Sequence, residues 1–304
     1  MTVLPGTEAR NPRTQDIDTL STGEVLARIA AEDATVPAAV AAELPAIEAV
    51  VERVVAALRS GGRLIYVGAG TSGRLGALDA AECPPTYNIA PHQVRAVLAG
   101  GPIAMTSSVE AAEDDEAQGA REMDVLAVDR RDVVLGITAS GRTPYVVGAL
   151  RRARQRGAAV AALVNNPGGP VAAAAELVIA PQTGPEVVTG STRMKAGTAQ
   201  KLVLNMITTT AMIRTGHTYG NLMVDVQTRN RKLRDRARRI VAEATGATED
   251  AVASALSDAG GEVKTAIVLL LTGLPVSEAR RRLEDAGGFV RAALHEVRGQ
   301  ETTG

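Results

Sequence analysis

The turn Gly68-Ala-Gly70-Thr71-Ser72-Gly73 follows an apolar run and opens a helical pattern, with its glycines at the spacing of a dinucleotide fingerprint. That fingerprint asks for an acid about 20 residues on, at the end of the second strand, to hold a ribose hydroxyl. The segment there, Val97-Leu-Ala-Gly-Gly101, has none. The turn instead carries the hydroxyls of Thr71 and Ser72, which suit direct contact with a phosphate. Two more turns share this character: Ala139-Ser140-Gly141-Arg142-Thr143 and Thr189-Gly-Ser191-Thr192-Arg193-Met-Lys195. Each sits near the start of a helix, where unpaired amides and the helix dipole favour an anion. Gly70, Thr71, Ser72, Ser140, Gly141, Arg142, Thr143, Ser191, Thr192, Arg193 and Lys195 thus form a candidate pocket for a small phosphorylated ligand. A sugar phosphate is the natural fit, because hydroxyls donate to phosphate oxygens without burying a full charge.

Glu82 stands in an otherwise apolar helical run, three residues after Asp79 and so on the same helix face. Pro84-Pro85 is expected to end that helix, which puts Glu82 on its last turn. There the dipole disfavours negative charge, and apolar neighbours would favour the protonated form that a general acid needs. The other acids cluster at Glu110, Glu113, Asp114, Asp115 and Glu116, on an expected helix from Thr106 to Ala120. Spacing alone reads that cluster as a solvated face and singles out none of its members.

The elements that must position these residues alternate. Apolar runs at 63–67, 94–99, 132–138, 159–164 and 176–180 read as short strands, and helical patterns lie between them. That alternation predicts an α/β fold with a parallel, doubly wound sheet covered on both faces. Open sheets of this kind bind ligands outside the carboxyl ends of their strands, where the hydroxyl turns fall. Ahead of the sheet, residues 1 to about 20 read as a polar arm. Ser21-Thr-Gly-Glu24 is a candidate capping box, and Ile47 to Leu58 has the apolar spacing of an amphipathic helix. The third turn opens a long apolar helix that Gly216 caps. Glycine breaks after residue 240 suggest a small three-helix domain.

Composition narrows the function. The chain has 304 residues, enough for a large core, with 33 basic and 34 acidic side chains in near balance. That balance argues against nucleic acid or a membrane surface as partner. The basic run Arg229 to Arg239 reads as a solvated helix face. The one cysteine, Cys83, excludes an intrachain disulfide and fits a reducing cytoplasm, and reads as a small buried residue. Three scattered histidines give no metal-ligand cluster, and no metal or organic cofactor is expected. The polar start, with Glu8, Arg10 and Arg13, does not read as a signal peptide, and the apolar stretch Leu202 to Ile213 is too short to span a bilayer. With no Trp, one Phe and four Tyr, alanine and valine must build the core.

The blocks GRLIYVGAGTSGRLGALDAAECPPTY, ASGRTPYV, GPEVVTGSTRMKAGTAQKLVLNMI and GNLMVDVQTRN, in this order, resemble the N-acetylmuramic acid 6-phosphate etherases. These are relatives of the sugar isomerase (SIS) domain proteins and of the glucokinase regulator. The resemblance runs from about Thr7 to Ala293. It implies a flavodoxin-like SIS domain over 54–217, an N-terminal arm and helices over 1–53, a connecting segment over 218–239 and a small ubiquitin-associated-like helical domain over 240–304. It implies a lyase that removes the D-lactyl ether of N-acetylmuramic acid 6-phosphate, giving N-acetylglucosamine 6-phosphate and D-lactate, in cytoplasmic cell-wall sugar recycling. The family's acid glutamate falls on Glu82, in ECPP, and its second catalytic glutamate on Glu113, in AED. The resemblance also implies no metal or cofactor, and a homodimer with the site near the subunit interface. Two other readings share the fold: an aldose–ketose sugar-phosphate isomerase, and a non-catalytic sugar-phosphate sensor.

Overall fold

The computed structural model describes residues 6–109, 111–226 and 231–298. The chain forms two compact units, Met1–Ala81 with Pro91–Thr209, and Glu82–Ala90 with Thr210–Gly304.

The first unit begins with helices α1 (Thr22–Asp33), α2 (Val36–Ala41) and α3 (Leu44–Arg59). The capping box forms as expected: the Glu24 amide donates to Ser21 Oγ, and the Ser21 amide donates to the Glu24 carboxylate at 2.9 Å. Strand β1 (Leu64–Gly68) leads into α4 (Gly70–Tyr87), then β2 (Val94–Leu98), α5 (Glu116–Val125), β3 (Val133–Thr138), α6 (Pro144–Gln155), β4 (Ala159–Val164), α7 (Pro170–Ala174), β5 (Leu177–Ile179) and α8 (Lys195–Arg214). The five strands are all parallel, in the order β2-β1-β3-β4-β5. This is the doubly wound, flavodoxin-like order, and its switch point lies between β1 and β3. Ile65, Val67, Val134, Val160 and Ala162 pack with α6 residues Val146, Ala149 and Leu150 in one buried cluster. Tyr66 points to the other face, where its hydroxyl donates to Asp79 on α4 at 2.8 Å.

Glycine sets how closely the layers approach. A Cβ on Gly73 would lie 2.6 Å from Gly68 O, and one on Gly68 would lie 2.7 Å from Gly73 N, so α4 can start this close to β1 only with glycine at both places. Gly119 on α5 and Gly148 on α6 are a second pair: their added Cβ atoms would lie 1.9 Å from Tyr145 O and Glu116 O respectively.

Three local expectations change. The arm is docked, with Thr7, Asn11 and Thr14 buried and bonded to Asn166, Pro185 O and Val187 O. Pro84-Pro85 does not end α4. The proline φ matches a helix, so the chain stays helical without two amide donors, and Asn88 N closes on Pro84 O at 2.9 Å before the positive φ of Asn88 stops it. Glu82 is therefore not on the last turn. Among the described residues, no single helix spans 106–120 either. Short 3₁₀ turns occupy Pro102–Met105 and Ala112–Asp114, Ala111 takes a left-handed conformation, and α5 starts only after Asp115, whose carboxylate caps the amide of Gln118 at 2.7 Å.

The second unit holds the short antiparallel pair β6 (Thr218–Tyr219) and β7 (Leu222–Met223), then α9 (Arg231–Thr245), α10 (Glu249–Asp258), α11 (Val263–Thr272), α12 (Val276–Asp285) and α13 (Val290–Arg298). Its helices after residue 245 number four among the described residues, one more than expected. Val290 and Ala293 of α13 belong to the buried core of this unit. Among the described residues, no single helix is long and apolar enough to cross a membrane.

Candidate active site

The paired strands β1 and β3 end side by side, with Gly68 in register with Ile137. The first two hydroxyl turns therefore leave the sheet as neighbours at its switch point, where such sheets bind ligands. Gly70, Thr71 and Ser72 form the first turn of α4, whose amides have no acceptor within the helix. Gly70 has φ +52° and open space beside it, Thr71 is half-buried and Ser72 is buried.

The second turn is a hydroxyl network. Thr138 Oγ1 lies 2.8 Å from Thr143 Oγ1 and 3.3 Å from Ser140 Oγ, and the Arg142 amide donates to Ser140 Oγ at 3.2 Å. Gly141 is buried, and its carbonyl accepts from the Val171 amide. Arg142 is exposed and has room to reach a ligand.

The third turn lies close to the first. A Cβ on Gly197 would lie 3.5 Å from both Thr192 O and Thr71 Cγ2, so both turns border that glycine. Ser191 and Thr192 are half-buried and Arg193 is exposed. The start of α8, however, is already filled. Glu186, fully buried, accepts from the amides of Lys195 and Ala196 at 3.0 and 2.9 Å, while Gly197 N and Thr198 N go to Thr192 O and Met194 O. Burial pushes the Glu186 carboxyl up and the two amides pull it back. An anion at this turn must therefore be held by side chains, not by the amides of α8.

Lys195 differs from expectation. Its side chain is 1% exposed, and its ammonium lies 2.7 Å from Oε2 of Glu32 on α1, whose two oxygens both also accept from the Arg13 guanidinium. The Arg13 guanidinium first, then Lys195, hold the Glu32 carboxyl down at about 2. The sequence shows a lysine in an anion-friendly turn, but the fold assigns it to an internal ion pair.

Glu113 sits exposed on the 3₁₀ turn before α5. It lines a cavity of about 410 Å³ with Gly70, Arg74, Ser107, Ser108 and Ala111. The structure thus brings Glu113 to the first hydroxyl turn. Glu82 does not line this cavity, and the apolar surroundings expected of it are not supplied: it is exposed. Asp79, expected beside it, is buried instead, accepting from Tyr66, Asn205 and Thr208, and burial raises its carboxyl. Cys83 is buried. Sequence reading missed Arg74 in the cavity wall; its one signal is the Gly-Arg that follows the hydroxyls in both the first and second turns. Among the described residues, no group of three or more histidine, cysteine or acidic side chains is placed to hold a metal ion.

The five-stranded parallel sheet with hydroxyl turns at its switch point is matched by SIS-domain models. Residues 46–154 match the glucokinase regulatory protein N-terminal SIS domain, and residues 105–210 match the SIS domain. A solved chain from Bacteroides fragilis, described as a phosphosugar isomerase involved in capsule formation, has the same fold with a TM-score of 0.50 and 20% identity, over 64% of this chain and 92% of that one. Similarity over the whole length is more specific. An N-acetylmuramic acid 6-phosphate etherase of Cutibacterium acnes is 53% identical over 97% of both chains. One of Streptomyces coelicolor is 54% identical over 95% of this chain and 93% of its own. The chain belongs to the N-acetylmuramic acid 6-phosphate etherase family.

Proposed function

We propose that this protein cleaves the D-lactyl ether of N-acetylmuramic acid 6-phosphate, giving N-acetylglucosamine 6-phosphate and D-lactate, as a carbon–oxygen lyase of cytoplasmic cell-wall sugar recycling. The observation that carries the reading is the near-full-length identity to etherases, joined to a cavity that puts Glu113 beside the first hydroxyl turn. In this reading the turns after β1 and β3, with Ser191, Thr192 and Arg193, hold the phosphate. Ring opening exposes a C1 aldehyde that acidifies the C2 proton. A carboxylate takes that proton, the C3–O bond breaks with its electron pair going to oxygen, and a carboxylic acid protonates the departing lactate oxygen. Water then adds at C3 of the unsaturated aldehyde. Glu82 serves as the acid and Glu113 as the second catalytic carboxyl.

The exposed position of Glu82 fits a homodimer. Leu78 on α4 is 50% exposed and Met206 on α8 is 37% exposed, and these two helices meet where Asp79 bonds Asn205. A second copy covering that face would also cover Glu82.

D-lactate release from N-acetylmuramic acid 6-phosphate tests the function. Glu82→Gln and Glu113→Gln are each expected to slow it by about 10²–10⁴-fold, with N-acetylglucosamine 6-phosphate still bound. Binding of the substrate by the wild type with no lactate formed would leave the sensor or isomerase reading.

A further inference from the structure

The wall of the cavity that carries Glu113 has little structure of its own. Among the described residues from Ala99 to Asp115 there is neither strand nor α-helix, only the two 3₁₀ turns. Ile103, Met105, Ser107, Ser108 and Val109 are exposed. Such a segment cannot fix a carboxyl by packing alone. What crosses to it is Arg74, four residues after Gly70 and on the same helix. Its Nε donates to Ala104 O at 2.8 Å and its Nη2 donates to Ser107 O at 3.1 Å. One planar fork thus holds two carbonyls three residues apart, a task that suits guanidinium and not a single ammonium. A further tether is the close approach of Gly100 to Val109, where an added Cβ would lie 2.8 Å from Val109 Cβ.

We propose that Arg74 is a positioning residue: it ties the hydroxyl turn that opens α4 to the wall that presents Glu113, and so sets the distance between bound phosphosugar and catalytic carboxyl. This rests on the etherase reading of the cavity for its kinetic consequence, but the tether itself does not. Nε and Nη2 are both directed at backbone carbonyls of the wall, and it is through these two bonds that Arg74 acts on it.

The test compares Arg74→Met and Arg74→Lys with the wild type by amide hydrogen exchange, D-lactate kinetics and calorimetric binding of N-acetylglucosamine 6-phosphate. Exchange across 102–113 is expected to rise in both variants while β1 and β3 stay protected. A displacement near 1 Å is expected to lower kcat by about 100-fold, with KM and product affinity changed by less than about threefold. Lysine is not expected to rescue the rate. Unchanged exchange at 102–113 overturns the tether, whatever the activity. Raised exchange with unchanged kcat overturns the positioning role. Lost product affinity with kcat retained makes Arg74 a phosphate ligand and overturns it equally. If Arg74→Met does not fold, the lysine variant decides on the same readouts. A wild type that releases no lactate refutes the etherase reading alone, because the exchange measurement still decides the tether.

Discussion

Replacing Lys195 with methionine separates the two roles that this residue could have. In the fold its ammonium lies 2.7 Å from Glu32, with both side chains under 5% exposed. The Glu32 carboxyl, held at about 2 instead of 4.5, reports the strength of its cationic partners. That displacement, the net of Arg13, Lys195 and Asn11 against the opposing effect of burial, corresponds to about 3 kcal/mol. Arg13 is 60% exposed, so water screens its share. Removing one partner of a buried pair costs about 3–5 kcal/mol; because Arg13 remains, we expect Lys195→Met to lose about 3 kcal/mol at neutral pH. The sign with pH follows from a carboxyl whose folded value lies below its unfolded one. The stabilisation is full above pH 4.5 and is lost as pH falls towards about 2, so the gap between wild type and variant closes on acidification. Urea unfolding followed by circular dichroism, at neutral pH and again below pH 4.5, measures both. The pair Glu32→Gln with Lys195→Met is expected to recover part of the loss, since it leaves no buried carboxylate. Unchanged stability at neutral pH with a raised KM would refute the reasoning and return Lys195 to the substrate.

Other perturbations probe other levels of the structure. Gly148→Ala puts a methyl 1.9 Å from Glu116 O, against backbone that cannot swing aside, and is expected to cost about 1–3 kcal/mol or more in urea midpoint at constant slope. Ser21→Ala removes a capping box at the start of α1 and is expected to cost about 1 kcal/mol. If the protein forms the homodimer proposed above, Leu78→Glu, which charges the exposed α4 face, is expected to turn it into a monomer in sedimentation equilibrium, with loss of lactate release; a wild type that is monomeric refutes the dimer, and a variant that stays dimeric excludes this face as the interface.

The sheet was legible because its signal is local. Buried parallel strands must be apolar throughout, and runs such as Ala159 to Val164 end where β4 ends. The turns after β1 and β3 were legible for the same reason, since a strand end followed by hydroxyls and glycine needs no distant partner to be recognised. The wall bearing Glu113 was not. Its acids imitate a solvated helix, while the features that shape it, a left-handed Ala111 and two 3₁₀ turns, leave no periodic trace. Arg74 could not be read as its tether because its acceptors are backbone carbonyls at Ala104 and Ser107, and carbonyls have no residue type. Lys195 misled for a different reason: its partner Glu32 stands 163 residues away in sequence, and charge pairing at that separation is fixed only by the fold.

Glu186 has one more consequence. Its carboxylate occupies the place on α8 that a phosphate would otherwise take, and it arrives with the chain rather than from solution. The ordering of this turn is therefore completed during folding, and a ligand that docks on Ser191 and Thr192 meets a surface whose entropy has already been surrendered. In the function proposed above, selectivity then falls to the two turns beside the switch point, and the third serves as the rigid rim against which they are measured.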